Sequence, residues 1–116
     1  MSKITVLGVA LVAMSGVAWA QSDPVFAPCA ACHSTKAGEN RLGPTLHRVV
    51  DRPKASVPGF GYSSAMKSQK GAWTEAALDA FIADPRAAVP GSRMIYGGMA
   101  DKAQRARLLA YLISIK

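Results

Sequence analysis

The chain has 116 residues, with 14 Lys or Arg against 7 Asp or Glu and a formal net charge of +7. That length sets a single domain with a modest core, which a bound cofactor or a crosslink would help to hold together. The basic residues are scattered, with no block of like charge, which argues against nucleic acid and leaves solubility or steering toward an acidic partner as the use of the excess.

In chain order, the first twenty residues read as an export leader. Lys3 supplies a positive start, Ile4 to Met14 is apolar, and Ala18 to Ala20 puts small residues where a signal peptidase reads. Cleavage after Ala20 is expected, with residues 21–116 as the mature domain. The competing reading is a retained membrane anchor. The uncharged stretch Ile4 to Ala20 is at the short limit of the roughly 17–25 residues a spanning helix needs. It also contains Gly8, Ser15 and Gly16, with no basic cluster directly after it. A cleaved protein outside the cytoplasm and free of the membrane is therefore expected. Without Lys3, 13 basic residues stand against 7 acidic ones, a balance of +6.

Ser22 or Asp23 can cap one or two helical turns with Pro24 at the first helical position, and Pro28 keeps that helix brief. From Ser34 to Gly61 the repeated Gly and Pro residues predict loop. Ser63 to Gln69 is a short helix capped by Ser63. Thr74 to Asp84 is a stronger one, with Thr74 as N-cap, Glu75 in the first turn and Leu78, Phe81 and Ile82 on one face. Pro85 stops it near Asp84, and Asp84 to Val89 gives one further turn. Asp101 caps a last helix reaching Ile115, whose predicted apolar stripe is Leu108, Leu109, Leu112, Ile113 and Ile115. No stretch alternates as a strand, so the mature domain is predicted to be all-α with a long loop region.

Both cysteines lie in "CAACH", residues 29–33. A structural zinc site needs four ligands, and after Cys29, Cys32 and His33 only His47 remains. A thioredoxin-like redox pair needs a βαβ setting that is missing here. A disulfide between Cys29 and Cys32 would close a tiny loop and stabilise little. None of these uses His33. Covalent haem attachment uses all three residues: each thiol can add across a haem vinyl group, two intervening residues set the reach, and the next imidazole lies beneath the ring to ligate iron.

"CAACH", "GPTLHRVV", "PGFGYSSAM", Trp73, "VPGSRMIYGGM" and "RLLAYL" occur in the order and spacing of the class I c-type cytochromes. From Cys29 to Leu112 the chain resembles that family, in particular short bacterial periplasmic cytochromes c close to the mitochondrial type. The resemblance implies a cytochrome c fold, with short helices and loops around one haem c held by two thioethers. Cys29 and Cys32 match the anchors and His33 the proximal iron ligand. Pro44 matches the residue whose carbonyl accepts the other imidazole N–H, fixing the tautomer and raising ligand basicity. Met94, on a loop framed by Pro90-Gly91 and Gly97-Gly98, matches the distal ligand; a soft thioether favours ferrous iron. Met99 and Met66 are the other methionines of the mature chain, and Met99 is expected in the core. Tyr62 and Trp73 match donors to a haem propionate, Arg52 a basic residue near the same group, and Tyr96 an aromatic against the exposed haem edge. His47 aligns with a surface histidine that binds no iron.

The chain departs from the family pattern in places. The first helix is short, so its packing on the last helix is expected to be reduced or replaced. Arg48 and Asp51 stand where relatives carry glycine, so that loop is expected to run differently. Phe81 and Met66 replace polar residues on the distal side.

The function implied is one-electron transfer in the periplasm by a monomeric carrier without enzymatic activity. Its positive charge would steer it onto acidic docking surfaces of a quinol-oxidising complex, terminal oxidase, dehydrogenase or peroxidase. The rival reading is a haem peroxidase or diatomic-gas sensor with a labile methionine ligand, for which Arg93 is the only polar candidate beside Met94.

Overall fold

The computed structural model describes residues 2–3, 8–12 and 23–115. The expected cleavage point after Ala20 and most of the apolar leader lie outside the described residues. Among those described, no helix is long and apolar enough to cross a membrane.

The domain opens with a 3₁₀ turn, Pro24–Phe26, running into α1, Ala27–Ala30. Asp23 starts it: its carboxylate accepts from the Val25 amide at 2.9 Å, and Pro24 takes the first position, where no N–H is needed. After a loop come α2 (Ser64–Lys67), α3 (Glu75–Ala83), α4 (Pro85–Ala88) and α5 (Lys102–Ser114). Each N-terminus is held by the residue whose side chain suits it. Ser63 Oγ accepts from Met66 N, and Thr74 Oγ1 from Ala77 N. Asp84 Oδ1 accepts from Ala87 N, and Asp101 Oδ1 from Gln104 N. Asp84 serves twice. Pro85 forces it into an extended conformation (φ −155°, ψ 90°), which ends α3, and from there its carboxylate caps α4.

Between α1 and α2 the chain is loop, as predicted, and among the described residues the only strand-like pairing is a single bridge, Pro53 with Ala72. The core is built from Val25, Phe26, Val49, Trp73, Leu78, Phe81, Val89, Met99, Leu108 and Leu112. Met99 is buried there, as expected. The α5 stripe is narrower than its sequence suggests. Leu108 and Leu112, one turn apart, are buried, whereas Ile113 is 41% exposed and Tyr111 takes its place against the core.

The shortened first helix is replaced by an aromatic contact. Phe26 is buried with its ring 4.9 Å from that of Tyr111 on α5. Burying a phenylalanine is worth roughly 1.5–3 kcal/mol, whereas the Asp23–Arg107 pair beside it, at 3.0 Å, is solvated and adds little.

The loop turns at Arg48 and again at Asp51. Both residues, and Ala55, hold positive φ (51°, 64° and 53°), the left-handed region a glycine occupies without strain. For non-glycine residues this conformation costs about 1–2 kcal/mol each.

Candidate functional site

The motif at residues 29–33 winds around the end of α1. The amides of Cys32 and His33 both bond the Cys29 carbonyl, at 3.1 and 2.9 Å, so the chain coils on through the histidine. Both thiols are half-buried and not bonded to each other. Burial, reinforced by the adjacent Cys32, pushes the Cys29 thiol pKa up.

His33 Nδ1 lies 2.7 Å from the Pro44 carbonyl oxygen and donates to it, which leaves Nε2 as the ring's free lone pair. Burial lowers the imidazole pKa; the Pro44 bond works against that, and the Arg52 charge adds to it. Gly43 backs the ring. A methyl group on its Cα would lie 2.6 Å from Nδ1 and 2.8 Å from Nε2, so no other residue fits without moving the imidazole. Gly43 also donates to the Cys32 carbonyl at 2.9 Å, tying the turn to the motif. In sequence, Pro44 takes its part only from the family resemblance, and Gly43 has none.

Arg52 lies near both Trp73 and Tyr62. Arg52 and Trp73 are joined through their backbones, Trp73 N to Arg52 O at 2.8 Å. Arg52 Nη1 donates to the carbonyls of Thr45 and His47, at 2.9 and 3.0 Å, while its Nε is buried without a partner. Burial draws the guanidinium pKa down, partly offset by nearby Tyr62. Tyr62 Oη accepts from Val57 N at 3.1 Å, leaving its own O–H free to donate. An orphaned N–H on a half-buried cation costs about 1–3 kcal/mol unless an acceptor reaches it, and a haem propionate carboxylate is an acceptor of the right charge. Lys54, which the sequence does not single out, lies with Nζ 5.0 Å from the Trp73 ring centre.

Met94 sits at the edge of the core with Cys29 and Tyr96. Its loop is pinned on both sides by buried residues, Val89 and Met99. The Met94 amide donates to Ser92 Oγ at 3.3 Å, and Arg93 Nη2 donates to the Gly61 carbonyl at 2.7 Å. Met99 N bonds the Ile82 carbonyl at 2.9 Å, and Gly98 (φ 113°) passes so close to the end of α3 that a Cβ there would strike the Ala83 carbonyl. Burial, with the neighbouring Cys29 sulfur, pushes the Tyr96 phenol up. Met66 is half-buried against the same core, and His47 is half-buried, its carbonyl serving Arg52. Leu42 and Ile95 are conspicuously exposed, at 83% and 89%. Among the described residues, no three His, Cys, Asp or Glu side chains converge as a metal site of their own.

No protein-family model matches the chain. It is 39% identical over 116 residues to cytochrome c2 of Rhodomicrobium vannielii, covering 95% of this chain and 92% of that one. It is 41% identical over 99 residues to the cytochrome c-type cyt cy of Rhodobacter capsulatus, covering 85% of this chain but spanning only 49% of that relative's length. Among solved structures it matches cytochrome cH from Methylobacterium extorquens with a TM-score of 0.71 and 37% identity, over 76% of this chain and 89% of that one.

Proposed function

The chain belongs to the class I c-type cytochromes, and from that premise we propose that it carries one electron at a time between periplasmic redox partners through a single haem c ligated by His33 and Met94. Haem c, when bound, supplies one iron that gains or loses a single electron. The protein's part is to hold it. Cys29 and Cys32 would anchor it through two thioethers, each thiol S–H adding across a vinyl double bond. His33 presents Nε2, and its Nδ1–H bond to Pro44 keeps the tautomer that leaves Nε2 unprotonated. Met94 would supply the second iron ligand from a loop whose ends are buried. Arg52, Tyr62 and Trp73 would receive a propionate, and the buried, unpartnered Arg52 Nε supports that role. Tyr96 flanks the edge near Cys29.

The observation that carries this reading is the His33–Pro44 bond over Gly43, which aims one unprotonated imidazole nitrogen from the residue next to Cys32. With His33 and Met94 both bound to iron, no ligand position would remain open to substrate, which favours a carrier over an enzyme. Docking is a matter of charge: Lys36, Arg86 and Arg93 are exposed, and a monomer with a balance of +6 after leader cleavage is drawn to acidic surfaces of its redox partners. The test is the visible spectrum of the purified ferric protein. The weak far-red band of methionine sulfur on low-spin ferric haem, lost in Met94→Ala, is the expected result. A haem spectrum lacking that band in the unsubstituted protein would overturn methionine ligation.

A further inference from the structure

We propose that Asn40 is a positioning residue for the proximal ligand, setting the electron-donating strength of His33 through the Pro44–Thr45 peptide. This rests on the assignment of His33 as an iron ligand. The carbonyl that accepts from His33 Nδ1 at 2.7 Å belongs to the same peptide group as the Thr45 N–H. That N–H donates to Asn40 Oδ1 at 3.1 Å, and Asn40 Nδ2 donates to the Pro58 carbonyl at 3.1 Å. The orientation of the Asn40 amide is fixed from both ends: Thr45 N can only donate and Pro58 O can only accept.

Three hydrogen bonds therefore run head to tail: His33 to Pro44, Thr45 to Asn40, and Asn40 to Pro58. In such a chain each bond polarises the next, by about 10–30% per bond. With Asn40 Oδ1 drawing on the Thr45 N–H, the Pro44 oxygen becomes more negative and a stronger acceptor. The His33 Nδ1–H bond strengthens, and Nε2 becomes a better donor, which favours ferric iron. The Thr45 hydroxyl stiffens the same peptide by donating to the Lys36 carbonyl at 2.6 Å and accepting from His47 N at 3.1 Å. The relay thus reaches Pro58, four residues before Tyr62 on the propionate side, so one asparagine side chain joins the two flanks of the site.

The experiment is to measure the reduction potential of the haem-loaded protein, at low and high salt, in Asn40→Ala and Asn40→Asp, together with the proton shift and solvent exchange of His33 Nδ1–H by NMR. Asn40→Ala removes the acceptor. It should shift the one-electron equilibrium toward ferrous about threefold, ~28 mV at 59 mV per decade, and speed exchange at His33 Nδ1. Asn40→Asp keeps an acceptor, now charged, while losing the bond to Pro58. It should lower the potential below that of the unsubstituted protein, and the difference should persist at high salt, where a solvated charge acting through space is screened. A residue that merely clasps two loops would move both variants the same way. Potentials that shift together, an unchanged His33 Nδ1–H with lowered stability, or an Asp effect abolished by salt would overturn the proposal. If Asn40→Ala fails to fold, the sign and salt response of Asn40→Asp decide alone. Absence of a His-ligated haem spectrum in the unsubstituted protein would instead sink the underlying assignment.

Discussion

The His33 imidazole lies directly on the Cα of Gly43, with room for a hydrogen there and nothing larger. A Cβ would fall 2.6 Å from Nδ1, the atom that must also reach Pro44. Gly43→Ala should push the ring off its bond, destabilising the haem-loaded protein by about 1–3 kcal/mol and lowering haem incorporation. Chemical denaturation and the haem-to-protein ratio check both.

Arg48 and Asp51 hold left-handed conformations that strain any side chain. Arg48→Gly should stabilise the fold by up to about 1 kcal/mol, the relief of strain being partly offset by the greater freedom of glycine in the unfolded chain. Asp51→Gly should gain less, because aspartate tolerates this region better. The urea midpoint should rise with an unchanged slope.

The Ser34 hydroxyl, which donates to Glu39, is the main cause holding the Glu39 carboxyl below its ordinary 4.5, with Arg41 and Lys36 adding to it. A carboxylate depressed in the folded state binds its proton more weakly than in the unfolded chain. Its stabilising effect is complete above 4.5 and is lost as pH falls through the lower folded value. Glu39→Gln should flatten that part of the acid limb and leave stability at pH 7 slightly reduced, as read from unfolding free energies across pH 2–7.

Arg105 joins α5 to two other parts of the molecule. Its Nε bonds Asp79 on α3 at 2.9 Å, and its Nη1 bonds the carbonyls of Met99 and Ala100 at 3.0 and 2.8 Å, where the Met94 loop ends. Arg105→Leu should cost about 1–3 kcal/mol and let the far-red band fade at lower denaturant than the helical signal. Arg105→Lys should rescue little, since one ammonium cannot span three acceptors in that fork. Asp79→Asn should cost less, about 1 kcal/mol, because the carboxylate is partly exposed and the amide keeps an acceptor for Arg105.

Lys36 and Arg93 differ as probes of steering. Both are exposed, but the Arg93 guanidinium also bonds Gly61. Lys36→Glu should slow electron transfer to an acidic partner at low salt and lose that effect as ionic strength rises. Arg93→Glu should in addition loosen the Met94 loop, leaving a deficit at high salt. Stopped-flow rates across a salt series separate the two.

What could be read from sequence was local. Ser63, Thr74 and Asp101 cap the helices they precede because each bond spans three residues, and Pro85 stops α3 through its immediate neighbour. The cysteine spacing and the following histidine are equally local. What escaped was set at a distance. Tyr111 rather than Ile113 faces inward because Phe26 waits for it. Arg48 keeps a left-handed turn because the loop is fixed elsewhere: the adjacent Val49 is buried, and Asp51 N bonds the Trp73 carbonyl. The Asn40 relay joins positions 18 apart that no periodicity links.

The contact of the 3₁₀ turn with α5 has a consequence for the growing chain. Asp23 and Arg107, 84 positions apart, meet beside the Phe26–Tyr111 pair. Until α5 has been synthesised, Phe26 lacks its partner Tyr111, and closing so long a loop precedes any reward from the contact. The turn that leads into Cys29 is therefore held only once α5 is in place, and α5 acts as its latch.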